Sequence, residues 1–202
     1  DPYPNLMIHF LPLAIRYDGS KPTPGHGYQL HIGPMLSDSK GSLRIASSDP
    51  LVPPKMQFNY LSTEQDRREW IAAVECAREI FAQSSFKDID GGELSPGKGV
   101  RTDREILEWV GREGETALHP SCTCRMGTGE DSVVDPVSMR VHGVQGLRVV
   151  DASVMPKITN ANIYAPVMMI AERCADMILG KEQMPAEDVD VYRAANAGRF
   201  AP

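Results

Sequence analysis

Aromatic residues make up only 6% of this 202-residue chain, and cysteines number four. Cys76, Cys122, Cys124 and Cys174 are too few and too scattered for the disulfide framework of a small secreted domain. Unpaired thiols beside ten methionines suit a reducing, cytoplasmic compartment. No apolar run approaches the ~20 residues that a membrane span needs. Positive charge is also in short supply. The 21 Lys and Arg against 27 Asp and Glu leave a net charge of −6, without the basic stripe that nucleic acid demands. Asp1-Pro2-Tyr3-Pro4 holds neither an initiator Met nor a signal-peptide pattern, as though the chain began inside a longer one. Repeats and low-complexity tracts are missing too.

What is present is ordinary for a globular protein: 42% hydrophobic and 24% charged residues, enough for one good-sized core or two modest ones. The first sixty residues carry strand signals at Leu6–Tyr17, Tyr28–Met35, Ser42–Ala46 and Lys55–Tyr60. Pro and Gly clusters such as Pro22-Thr23-Pro24-Gly25 and Pro53-Pro54 separate them. Strands this close, with no helix between, predict antiparallel pairing. Ser62-Thr63-Glu64-Gln65 has capping-box form, and Trp70, Ile71, Val74, Ala77, Ile80 and Phe81 follow at helical spacing. A second box, Thr102-Asp103-Arg104-Glu105, opens a shorter helix that Gly111 is expected to close. Beyond Gly114 periodicity fails until Gly146–Ala152, which reads as a short buried strand ending in an acid. An apolar helix from about Ala165 to Leu179 follows, with Gly180 as its C′ residue, then a loose polar tail from Glu182.

Three places could carry chemistry. His119-Pro120-Ser121-Cys122-Thr123-Cys124 offers zinc-type ligands, but Cys-x-Cys is not the usual chelating turn and no second pair follows, so no metal is expected. A packed loop with small buried cysteines explains the same letters. Asp151 ends a strand, where ligands gather in α/β folds, although a turn-forming acid is the commoner meaning. Asn160-Ala161-Asn162 precedes the apolar helix, either as an N-cap or as an amide that donates beside a helix terminus.

Taken in order, His119 to Gly127, Val133-Val134-Asp135, Arg140 to Pro156, Asn162 and Met169-Ile170-Ala171-Glu172 resemble the C-terminal signature of the glucose–methanol–choline flavin oxidoreductases. Tyr3 to Pro12, His31-Ile32-Gly33-Pro34-Met35 and Phe58-Asn59-Tyr60 are similar to the choline-oxidising branch, more loosely but over nearly the whole chain. Many members carry Gly where Cys122 stands, and Ser-Cys-Thr-Cys is the form associated with that branch.

The resemblance implies an α+β fold: a mainly antiparallel sheet with flanking helices as substrate-binding domain, plus the C-terminal strand and helix of an FAD-binding domain. It implies boundaries at 1–117 for the substrate-binding domain, 118–181 for the active-site loop and returning strand–helix, and 182–202 for the tail. The implied activity is oxidation of choline to betaine aldehyde by hydride transfer to FAD; another primary alcohol, or a non-enzymatic binding domain that keeps the signature, are the alternatives. His119 and Asn162 are implied as the catalytic pair, with Asp151, Ala152, Asn162 and Ile163 against the cofactor. Phe10, Tyr28, Tyr60 and Tyr164 could face a trimethylammonium group. No Gly-x-Gly-x-x-Gly opens a βαβ unit, and Gly127-Thr128-Gly129 has no helical pattern after it. The N-terminal flavin-binding half is therefore expected elsewhere in a longer chain, and these residues alone are expected to be flavin-free and inactive. Peripheral association with an inner membrane or an electron acceptor would also fit such an enzyme.

Overall fold

Short strands broken by Pro and Gly cannot build a wide sheet, and here they pair two by two. The computed structural model describes residues 3–16, 19, 25–190 and 192. The Pro22-Thr23-Pro24 turn, the end of the first apolar run at Tyr17, and all of the tail beyond Asp190 except Tyr192 lie outside the described residues. The architecture is mixed, with small antiparallel sheets and helices, in two compact units: Pro4–Glu115, and Thr116 onward together with Tyr3.

In the first unit β1 (Leu6–Leu11) runs antiparallel to β2 (Gln29–Pro34), with Leu6 opposite Pro34 and Leu11 opposite Gln29. β3 (Ser42–Arg44) pairs with β4 (Lys55–Gln57) as a separate ribbon, so the expected antiparallel pairing is split into two sheets. Gly41 beside that ribbon is obligatory, because a Cβ there would overlap the Gln57 carbonyl. α1 (Glu64–Phe81) starts one residue later than its sequence signal. Thr63, not Ser62, is the N-cap and accepts from the Asp66 amide, while Gln65 reaches Glu69 and the Leu36 carbonyl instead of closing a box. Asp66 and Glu69 are buried on its inner side. Burial pushes the Glu69 carboxyl above the usual range, although an Asn5 hydrogen bond works against it.

α2 (Asp103–Glu113) has the full capping box. The Thr102 hydroxyl accepts from the Glu105 amide, and the Glu105 carboxylate accepts from the Thr102 and Arg101 amides. Gly111 does not close this helix; it lies within it, and Gly114 in extended conformation ends it. The interior position is tolerated because a missing Cβ costs only ~1 kcal/mol of propensity. Val74 of α1 packs with Ile106 and Val110 of α2, and Trp70, Ile32 and Trp109 close over them.

The second unit has little regular structure: a 3₁₀ turn at Ala152–Val154 and α3 (Tyr164–Ile178). The segment before Asp151 makes an isolated bridge, Arg140 to Arg148, rather than a continuous strand. Among the described residues a single backbone arm pairs with it, too little to propagate a ladder, and Leu147 is left exposed. α3 ends in a Schellman motif: Gly180 at φ +66 donates to Met177 O, and Lys181 donates to Asp176 O. Its Ile170 and Cys174 enter a core with Val134, Met139, Val154, Met155 and Ile163. Among the described residues no helix is long and apolar enough to cross a membrane.

Candidate active site

The loop from His119 to Gly127 has no hydrophobic period, so its backbone polar groups must find partners one at a time. They find them on the 3₁₀ turn. The Cys122 amide donates to Ala152 O at 3.3 Å, Cys124 to Ser153 O at 2.9 Å and Met126 to Val154 O at 2.8 Å. On its other edge the loop meets Val133 and Val134: Val133 donates to Arg125 O at 2.9 Å, and Gly127 donates to Val134 O at 3.0 Å. Val134 and Val154 are fully buried beneath. Two stretches far apart in sequence thus share one hydrogen-bonded seat.

Asp151 sets the geometry of that seat. Its Oδ1 accepts from the Ser153 amide at 2.8 Å and from the Ser153 hydroxyl, which fixes the turn that offers the Ala152–Val154 carbonyls. Asp151 itself is exposed, and its Oδ2 has no protein partner among the described residues. Ala152 beside it is half-buried. Asp135 is a second such brace; hydrogen bonds from the Ser138 hydroxyl and amide hold its carboxyl below the usual range. His142, the second histidine of the motif, approaches Gly127 O with Nε2 at 3.0 Å and so ties the loop down. Only spatial contact reveals that role; the sequence marked His142 as a motif letter.

His119 behaves differently. It is half-buried and its ring makes no hydrogen bond among the described residues. Left-handed residues flank it, Leu118 at φ +59 and Cys122 at φ +70. The value at Cys122 gives the physical reason why many family members hold glycine there: only glycine enters that region without cost.

Asn162 is exposed, follows Ala161 at φ +65, and makes no side-chain hydrogen bond among the described residues. It is not the cap of α3. Ile163, buried in the second-unit core, takes the N-cap position and contributes no side-chain bond. The Tyr164 and Ala165 amides, the first two of the helix, therefore meet no acceptor among the described residues, and Pro166 has none to offer. The Thr159 hydroxyl, three residues before Asn162, is buried without a partner. Thr159 has no prominence in the sequence, since one threonine in an irregular turn carries no pattern.

Among the described residues no group of three or more His, Cys, Asp or Glu is placed to share a metal ion. Three of the four aromatics, Phe10, Tyr28 and Tyr60, belong to the first unit and Tyr164 to the second. Phe10 and Tyr28 pack with Phe81 and Phe86, Tyr28 lying 5.0 Å from Phe81 between ring centres. Tyr60 stacks on Phe58 at 5.3 Å, and Tyr164 stands exposed at the start of α3.

Comparison with known proteins bears on the family and the fold. The family model described as GMC oxidoreductase matches residues 37–171. An oxygen-dependent choline dehydrogenase of Staphylococcus saprophyticus is 59% identical over 95% of this chain and 34% of its own length. One of Staphylococcus xylosus is 58% identical over the same shares. The chain thus spans about a third of the length of the curated relatives it matches. Among solved structures, pyridoxine 4-oxidase from Mesorbium loti superposes with a TM-score of 0.78 at 30% identity, covering 89% of this chain and 35% of that one. A fungal aryl-alcohol oxidase gives 0.63 at 30% identity, covering 78% and 26%. With a family model matching well over half its length, the chain belongs to the GMC oxidoreductase family.

Proposed function

We propose that this chain is the active-site-bearing C-terminal part of an FAD-dependent alcohol dehydrogenase that oxidises choline to betaine aldehyde. One observation carries the reading: among the described residues His119 and Asn162 make no side-chain hydrogen bond, in a unit whose loop amides from Cys122 to Val133 are bonded to carbonyls of distant loops. The substrate reading rests on relatives named oxygen-dependent choline dehydrogenase at 58–59% identity.

The residues present fit a flavin. The start of α3 presents two amides that meet no acceptor among the described residues, and a helix N-terminus favours negative charge. Asp151 and Ala152 stand at the neighbouring turn, where the side of a cofactor could lie. When bound, FAD supplies the hydride acceptor. This chain supplies the rest. His119 takes the hydroxyl proton of the alcohol on a ring nitrogen, which an imidazole can do near neutral pH. The Asn162 carboxamide donates to the same oxygen and stabilises the charge that develops on it, with no titration of its own. The amides of Tyr164 and Ala165 would face the cofactor and favour negative charge on it. The N-terminal part of a longer chain would provide the phosphate-binding turn, and the 202 residues alone should purify without flavin absorption.

The test is anaerobic mixing of the full-length flavoprotein with choline. The flavin band should bleach and betaine aldehyde should form. Bleaching by another primary alcohol but not by choline would move the substrate; bleaching by neither would contradict the reading.

A further inference from the structure

The cysteines of the His119 loop have no part in the chemistry above, yet one of them holds an unfavourable backbone. Cys122 stands at φ +70, where glycine is the unstrained choice. Burial does not explain a cysteine there: Cys174 is wholly buried in the core, whereas Cys122 and Cys124 are only half-buried. Both amides are fixed on neighbouring carbonyls of one turn, Cys122 on Ala152 O and Cys124 on Ser153 O. Between them the chain turns at Thr123–Cys124. Two residues of extended chain span at most about 7 Å, and a turn shortens that toward the about 4.4–6.8 Å between Cα atoms that a disulfide accepts. The Cys122 sulfur lies 3.4 Å from the Ser121 hydroxyl, at the margin of the second-unit core against which the residue packs.

We propose that Cys122 and Cys124 are a dithiol that hydrogen peroxide closes to a disulfide, and that closure slows the enzyme by reshaping the loop that carries His119. The proposal rests on the flavoenzyme reading for its oxidant: a flavin held by this enzyme would supply hydrogen peroxide when oxygen accepts its two electrons. One cysteine attacks peroxide as its thiolate; the O–O bond breaks, a sulfenic acid forms and hydroxide leaves. The second sulfur then displaces that hydroxyl as water, after giving up its own proton. The sum is two thiols and one peroxide giving one disulfide and two waters, with two electrons passing from sulfur to oxygen.

The experiment uses the full-length flavoprotein, reduced, freed of reductant, exposed to hydrogen peroxide, quenched with N-ethylmaleimide and cut with trypsin. Cleavage after Arg112 and Arg125 places both cysteines in one peptide, Glu113–Arg125. That peptide should lose two hydrogens and take no maleimide. The rate of flavin reduction by choline should fall in proportion to the oxidised fraction, and dithiothreitol should restore both. Cys124→Ser and Cys122→Gly, the latter suited to φ +70, should keep their own rates through the same exposure. Two maleimides on the peptide after peroxide would overturn the proposal, as would a disulfide with no loss of rate. A protein that choline never reduces would contradict the choline reading instead, and the alkylation result would still decide whether the pair closes.

Discussion

The two units of this chain solve the problem of satisfying their backbones in opposite ways. In Pro4–Glu115 the polar groups are spent in regular ladders and caps, and side chains such as Val74, Ile106 and Val110 meet across helix faces. From Thr116 onward, loop amides pair with carbonyls of distant loops, and Leu118, Cys122, Met139 and Ala161 adopt left-handed backbone, against Asn59 and Leu61 in the first unit. Regular elements distribute stability over many small terms. Irregular ones spend it to hold a few side chains in set places, which is what a reacting centre requires.

The comparison breaks first, and by most, at His119. In the full-length protein, His119→Ala should slow flavin reduction by ~10²–10⁴-fold with flavin content retained. The opposite pattern is expected from the first unit. Ile106→Ala opens a cavity among Val74 and Val110 and should cost ~2–5 kcal/mol of stability, read by chemical denaturation. The folded fraction should still reduce its flavin at the normal rate.

A smaller effect sharpens the same contrast. Thr102→Ala removes the hydroxyl that accepts from Glu105 and should cost ~1 kcal/mol, with no change in rate. Acid should probe the other half of this box. Hydrogen bonds from the Thr102 and Arg101 amides lower the Glu105 carboxyl from 4.5 to about 2. Its folded value lies below its unfolded one, so its contribution is present above pH 4.5 and fades as pH falls toward 2. Thermal unfolding followed over that window should show a shallower slope in Glu105→Gln than in the parent.

Much of the first unit could be read from its letters because its signals are local. Thr102 and Glu105 form the box that their spacing predicts, and Gly180 ends α3 in the conformation that only glycine takes freely. Local signals still err by small steps. Ser62 and Thr63 are both good caps, and only the aim of the Thr63 hydroxyl at the Asp66 amide separates them. Gly111 looks like a terminus, yet one glycine is too weak a breaker when Gly114 lies a turn away. The second unit is another matter. Nothing in Cys122, Cys124 or Met126 announces a bond to Ala152, Ser153 or Val154, because such stitches carry no period. His119 and Asn162 stood out through motif order alone, and Thr159 did not stand out at all.

The proposed role of Asn162, chemistry rather than capping, is open to stopped-flow flavin reduction by choline in the full-length protein. Three substitutions suffice: Asn162→Ala, Asn162→Asp and Asn162→His. If the carboxamide donates to the alcohol oxygen, Ala should lose ~10²–10³-fold. Asp should fall lower still, since an ionised carboxylate cannot donate and repels the developing charge, and His should retain the most, because an imidazole can donate the same bond. An Asp variant that reduces its flavin at the parent rate would contradict the account and pass the role to another residue of the turn, with Asn160 first in line.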